Sequence, residues 1–184
     1  SLGDFLFAKS NLFDVDMTPN SYQQSMIELS LENGKLVGIF NEMKTALLTR
    51  LKGDRGQKDT RRSLQYYFVA QDIHERADSA HIDYQKLGKI FEHSDILFRF
   101  QRILFIQAKA CKDLSHSILH RETYQHNKRF KHAFANLKLS LEKLRTEQQY
   151  DQVWVNALFS LYQNLKAIDA QLRNVETERH IKFD

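Results

Sequence analysis

From Tyr22 to Leu47 the apolar residues return at alternating steps of four and three: Tyr22, Met26, Leu29, Leu36, Phe40, Met43 and Leu47, with Asn33 on the same line. That period belongs to a long α-helix laying one continuous stripe on a neighbour, and a strand cannot present it. A single proline, Pro19, and six glycines among 184 residues leave too few turns for an all-β chain. The expected fold class is all-α: an antiparallel bundle of about five or six helices, heptad-like and long, with residues 1–184 forming one unit large enough to bury its own core.

Punctuation predicts the boundaries. Leu2, Phe5, Leu6, Leu12 and Phe13 read as the tail of a truncated helix over residues 1–13, broken at Asp14-Val15-Asp16. Thr18-Pro19-Asn20-Ser21 opens the long helix, with Asn20 or Ser21 as its cap. Asn33 on the apolar line fixes helix register, and Gly34 and Gly38, four apart, leave room for a close backbone approach. Residues 52–62, K-G-D-R-G-Q-K-D-T-R-R, form the expected flexible charged loop. A third helix starts at Arg61 or Arg62 and runs to Ala80, with Leu64, Tyr67, Phe68, Gln71 and Ile73 inward. Asp83 caps a short helix carrying Leu87, Ile90 and Phe91. The most apolar helix follows His93-Ser94-Asp95. Leu97, Phe100, Leu104, Gln107, Cys111, Leu114 and Ile118 form its stripe, broadened by Phe98, Ile103, Ile106 and Ala110, so it belongs at the bundle centre. Two further helices, over residues 127–148 and 151–178, are joined by a short turn and are therefore antiparallel neighbours.

The formal charge of +4 is small, and Lys and Arg alternate with Asp and Glu instead of clustering, so no nucleic-acid surface is expected. Cys111 is alone and sits among apolar neighbours, as a buried thiol in a reducing compartment would. No stretch approaches the roughly 20 apolar residues of a membrane-spanning helix. The start at Ser1-Leu2-Gly3, without a Met, suggests an excerpt from something longer.

Chemistry-bearing residues gather in two places. The first is Gln71-Asp72-Ile73-His74-Glu75-Arg76-Ala77-Asp78 with His81 beyond. His74, Asp78 and His81 share a helix face at offsets of four and three, a spacing compatible with a metal, but the run lacks the H-E-x-x-H arrangement. A polar face with ion pairs along the helix is the preferred reading, and no metal or other cofactor is expected. The second is His93, Ser94, Asp95, Arg99 and Arg102, where Asp95 and Arg99 stand in the favourable order for a helical ion pair. Packing of the two faces on each other would make a cross-helix polar network that specifies structure. His116, His120, His126 and His132 are read as unrelated surface histidines. No nucleophile–base pair, catalytic carboxylate pair or phosphate loop is recognisable, so no catalytic residue and no enzyme activity are expected.

The runs Leu64-Gln65-Tyr66-Tyr67-Phe68-Val69-Ala70-Gln71-Asp72-Ile73-His74-Glu75-Arg76-Ala77, Ser79-Ala80-His81 and Phe91-Glu92-His93-Ser94-Asp95-Ile96-Leu97-Phe98-Arg99-Phe100-Gln101-Arg102 resemble the soluble region of YccS/YhfK-type inner membrane proteins, related to the fusaric acid resistance, or FUSC-like, group. The likeness is strongest from Leu64 to Cys111. The motif residues it marks are Gln71, Asp72, His74, Glu75, Arg76, His81, His93, Asp95, Arg99 and Arg102. It implies a bacterial multi-pass, membrane-embedded parent with helical soluble insertions, in a group associated with export of aromatic acids. The chain would then be a non-enzymatic domain of a transporter-like protein, for assembly, partner binding or gating, with the parent's transmembrane segments and other subunits, a homo-oligomer included, as partners. The basic balance and the free Cys111 point to the cytoplasmic side. A ligand- or metal-binding sensor using the His74, Asp78 and His81 face is the alternative.

Overall fold

The computed structural model describes residues 1–53, 57–78 and 82–183 along the backbone, with side chains described except at 57, 58 and 176–183. Among these residues there are seven α-helices and no strand. They are α1 (Leu2–Ser10), continued by a 3₁₀ turn at Asn11–Phe13, α2 (Pro19–Leu51), α3 (Gln57–Asp78), α4 (Tyr84–Ile90), α5 (Ile96–Leu119), α6 (Arg129–Glu147) and α7 (Gln152–Phe183). The all-α expectation holds, with more helices than the five or six expected.

Capping chemistry sets most of the starts. Ser1 and Asp4 form a reciprocal capping box on α1. On α2 the cap is Thr18, not Asn20 or Ser21: its hydroxyl accepts from the Ser21 amide, and Pro19 takes the first helical position, where its missing N–H costs nothing. Asp83 caps α4 as expected, accepting from the Lys86 amide at 3.1 Å. At the start of α5 the Ser94 hydroxyl, rather than Asp95, accepts from the Ile96 amide. The loop expected over 52–62 is shorter, because α3 starts at Gln57. Asp59 in its first turn suits the helix dipole, and Thr60 is buried.

The centre belongs to α5, flanked by α1, α6 and α7, while α3 packs on α2 and α7. Leu97, Phe100, Ile103, Leu104 and Cys111 of α5 are buried, but Phe98 and Ile118 are exposed, and so is Phe68 on α3, against expectation. Tyr67 and Ile73 of α3 are buried as expected, joined by His74 and Ala77. The stripes of α6 (Phe130, Phe134, Leu137, Leu141, Leu144) and α7 (Leu158, Leu161, Leu165, Ile168, Leu172, Val175) are buried as their period requires. On α2 only Leu36, Phe40 and Leu47 are buried, and Met26 and Met43 of its stripe are exposed. No described helix is long and apolar enough to cross a membrane.

Candidate functional site

The second half of α3 holds the first motif cluster. Arg76 Nε donates to Asp72 Oδ2 at 2.8 Å one turn earlier, on a half-exposed face beside the half-buried Gln71 and the exposed Glu75. His74 points the other way. Its buried ring lies edge-on to Phe5 at 5.0 Å and tilted against Phe40 at 5.6 Å, and its Nε2 is 2.6 Å from Asn33 Oδ1. Because that oxygen can only accept, Nε2 carries the proton and donates. Burial holds the imidazole below its usual pKa, against the pull of Asp78 and Glu75, with Lys9 adding a further push down. Asn33 therefore acts as the structural anchor its place on the α2 stripe suggests, partnering α3. The Asn164 side-chain amide of α7 donates to the Arg76 carbonyl, tying the same stretch to a third helix.

Lys9 of α1 is buried near this cluster, and desolvation lowers its ammonium to about 8, partly offset by Asp78. Of the three residues considered for a metal, Asp78 is exposed, His74 commits Nε2 to Asn33, and His81 lies outside the described residues. Among the described residues no three His, Cys, Asp or Glu side chains converge as ligands.

The second motif cluster borders a polar cleft of about 520 Å³ between the start of α5 and the end of α6, with Ser140, Lys143 and Glu147 on its far wall. Arg99 Nε donates to Asp95 Oδ2 at 2.9 Å, while His93 and Arg102 are exposed. The 71–78 stretch finds polar partners on α2 and α7, at Asn33 and Asn164.

A buried polar chain among the described residues lies outside both motifs. In the α5–α6 connection the Tyr124 hydroxyl is 2.8 Å from His126 Nδ1, and His126 Nε2 is 2.6 Å from Asp169 Oδ1 on α7. Arg173 Nε completes it on Asp169 Oδ2 at 3.0 Å. The His126 ring stacks on Phe130 at 4.5 Å. His126 is thus a buried clamp and not a surface histidine like His116, His120 and His132. The detectable signal was Asp169 itself, four residues after Leu165 and three before Leu172 on the apolar line of α7.

An open apolar hollow of about 610 Å³ lies between α1, α2, α3 and α5, walled by Leu36, Phe40, Tyr66, Tyr67, Cys111 and Leu114. The Lys112–Asp4 ion pair, 3.0 Å, stands at its rim. Burial pushes the Cys111 thiol up to about 12, which keeps it protonated and unreactive.

The two motif clusters belong to a longer likeness that runs through nearly the whole bundle. The family described as FUSC-like inner membrane protein yccS matches residues 1–172. The chain belongs to the FUSC-like family. It is 49% identical over 178 residues to inner membrane protein YccS of Escherichia coli (strain K12), covering 97% of this chain and 24% of that protein. An uncharacterized protein of Haemophilus influenzae is 36% identical over 175 residues, covering 95% of this chain and again 24% of the relative. The chain thus spans about a quarter of the length of these two relatives. No solved structure matches it.

Proposed function

We propose that this bundle is a non-enzymatic domain on the cytoplasmic side of a multi-pass, transporter-like inner membrane protein of the FUSC type, serving assembly, partner binding or gating in the efflux of aromatic compounds. The observation that carries the reading is a helical core closed on itself, matching one quarter of inner membrane protein YccS end to end. The polar groups of the two motifs serve structure: Arg76–Asp72 and Arg99–Asp95 are ion pairs along single helices, and His74 joins α3 to Asn33 of α2. The net charge of +4 and the buried free thiol support the cytoplasmic placement. Deleting this domain from the full-length protein, with its membrane segments retained and inserted, is expected to abolish or deregulate export of aromatic acids. Unchanged export of every aromatic acid tested would contradict the transport role.

The apolar hollow favours a second reading, a ligand sensor, at a place other than the His74, Asp78 and His81 face. Calorimetric titration with aromatic acids and with divalent metals separates the two places. Aromatic-acid binding that survives alanine at His74 and His81 belongs to the hollow, and metal binding lost in the same variants belongs to the face.

A further inference from the structure

The long helix α2 carries a second line, nearly opposite the buried one. Ile27 and Leu31 lead it, 60% and 59% exposed, and Gly34 and Gly38 continue it in the same four-three rhythm. A Cβ added at either glycine would meet nothing within 4 Å, so these notches face open space. Apolar side chains beside open notches on one helix form a half-interface of two knobs and two holes.

We propose that the partner is a second copy of this chain, with the two α2 helices antiparallel across a two-fold axis between residues 32 and 33. In that register Ile27 of each copy enters the Gly38 notch of the other, and Leu31 enters the Gly34 notch, giving four successive layers of one large residue on one glycine. The flanking charges select it. Glu28 and Lys35 border the line, and the same register sets Glu28 of each copy beside Lys35 of the other, twice by symmetry. Gln24 and Asn41, both exposed, close the ends as polar layers. Shifting the antiparallel pair by one heptad brings Lys35 onto Lys35 and Glu28 onto Glu42, which repel. A parallel pair stacks glycine on glycine and leaves Lys35 beside Ser30, with no charge match. The face needs only a self-complementary copy, as two-fold interfaces do.

This deepens the assembly part of the proposed function, and its test stands apart from the export and placement experiments, which can fail while it succeeds. Sedimentation equilibrium of the chain over a concentration series is expected to show a reversible dimer. Leu31→Glu, at an exposed position that leaves the fold intact by circular dichroism, is expected to make it monomeric. Lys35→Glu is expected to raise the dissociation constant about tenfold, and Glu28→Lys added to it to restore dimerisation. Mixed Ile27→Cys and Gly38→Cys chains are expected to cross-link to each other and not to themselves. A chain monomeric at every concentration would overturn the proposal and leave the face to other segments of the longer protein. Rescue of Lys35→Glu by Glu42→Lys instead, or self-cross-linking of either single cysteine variant, would overturn the register.

Discussion

His126 and Asp169 are 43 residues apart in sequence, yet His126 Nε2 lies 2.6 Å from Asp169 Oδ1, with Asp169 only 2% exposed. A carboxylate can only accept, so Nε2 carries a proton, and in the neutral ring Nδ1 accepts from the Tyr124 hydroxyl. The α5–α6 connection is thus clamped to α7 by a polar chain inside an otherwise apolar bundle.

Breaking such a pair leaves a buried group short of a partner: Asp169→Ala takes the acceptor from the His126 N–H, and His126→Ala takes one donor from the Asp169 carboxylate. Asp169→Ala is expected to cost about 3 kcal/mol, and His126→Ala about 2 kcal/mol because Arg173 still partners the carboxylate. His132→Ala, at an exposed position, should change stability by less than about 0.5 kcal/mol. Urea denaturation of the three variants checks this. Equal midpoints for His126→Ala and His132→Ala would remove the clamp.

Lys9 gives the stability a pH dependence of definite sign. Its ammonium titrates near 8 when folded and near the ordinary 10.5 when unfolded, so between those values the unfolded chain holds the extra proton and stability rises with pH. Below about pH 8 the full cost of burying the charge is present. Lys9→Met should therefore be more stable than the parent chain at pH 7, by about 1–3 kcal/mol, with the gap narrowing as pH rises from 8 towards 10. Taking the difference between the two proteins cancels the opposing contribution of Cys111, whose raised pKa lowers stability above about pH 9. A constant gap from pH 7 to 10 would show that Lys9 keeps its charge.

Two glycines should answer the same substitution oppositely. A Cβ at Gly3 would sit 2.6 Å from the Lys112 side chain and 2.9 Å from the Ala108 carbonyl, where α1 meets α5. The carbonyl cannot move cheaply, so Gly3→Ala should destabilise by about 1–3 kcal/mol. Gly88 within α4 meets nothing within 4 Å, and Gly88→Ala should be neutral or stabilise by up to about 1 kcal/mol through helix propensity. Thermal denaturation of both variants reads the difference.

Helix class and the buried lines of α6 and α7 were legible because each of those helices is covered along one face, and one period describes one face. Phe68 and Phe98 were misplaced for the converse reason: a helix with apolar residues over a wide arc does not say which part of the arc meets a neighbour. The α2 stripe shows the same limit, since its Met26 and Met43 carry the rhythm and remain exposed. Thr18 takes the cap expected at Asn20 or Ser21 because Pro19 occupies the first helical position, which sets the cap one residue before it. Motif residues could be named but not paired. The partners of the 71–78 stretch, Asn33 and Asn164, come from helices 41 and 88 residues away, a distance no local pattern reports. Polar residues on apolar lines are the usable clue: Asn33 on the α2 line pairs with His74, and Asp169 on the α7 line pairs with His126.

The central claim is that this bundle hangs from a FUSC-type inner membrane protein on the cytoplasmic side. A paired topology reporter placed in the full-length protein immediately after Asp184 tests it most directly, one fusion to green fluorescent protein and one to alkaline phosphatase. Fluorescence without phosphatase activity is the expected result, and phosphatase activity without fluorescence would put the domain in the periplasm and contradict the claim.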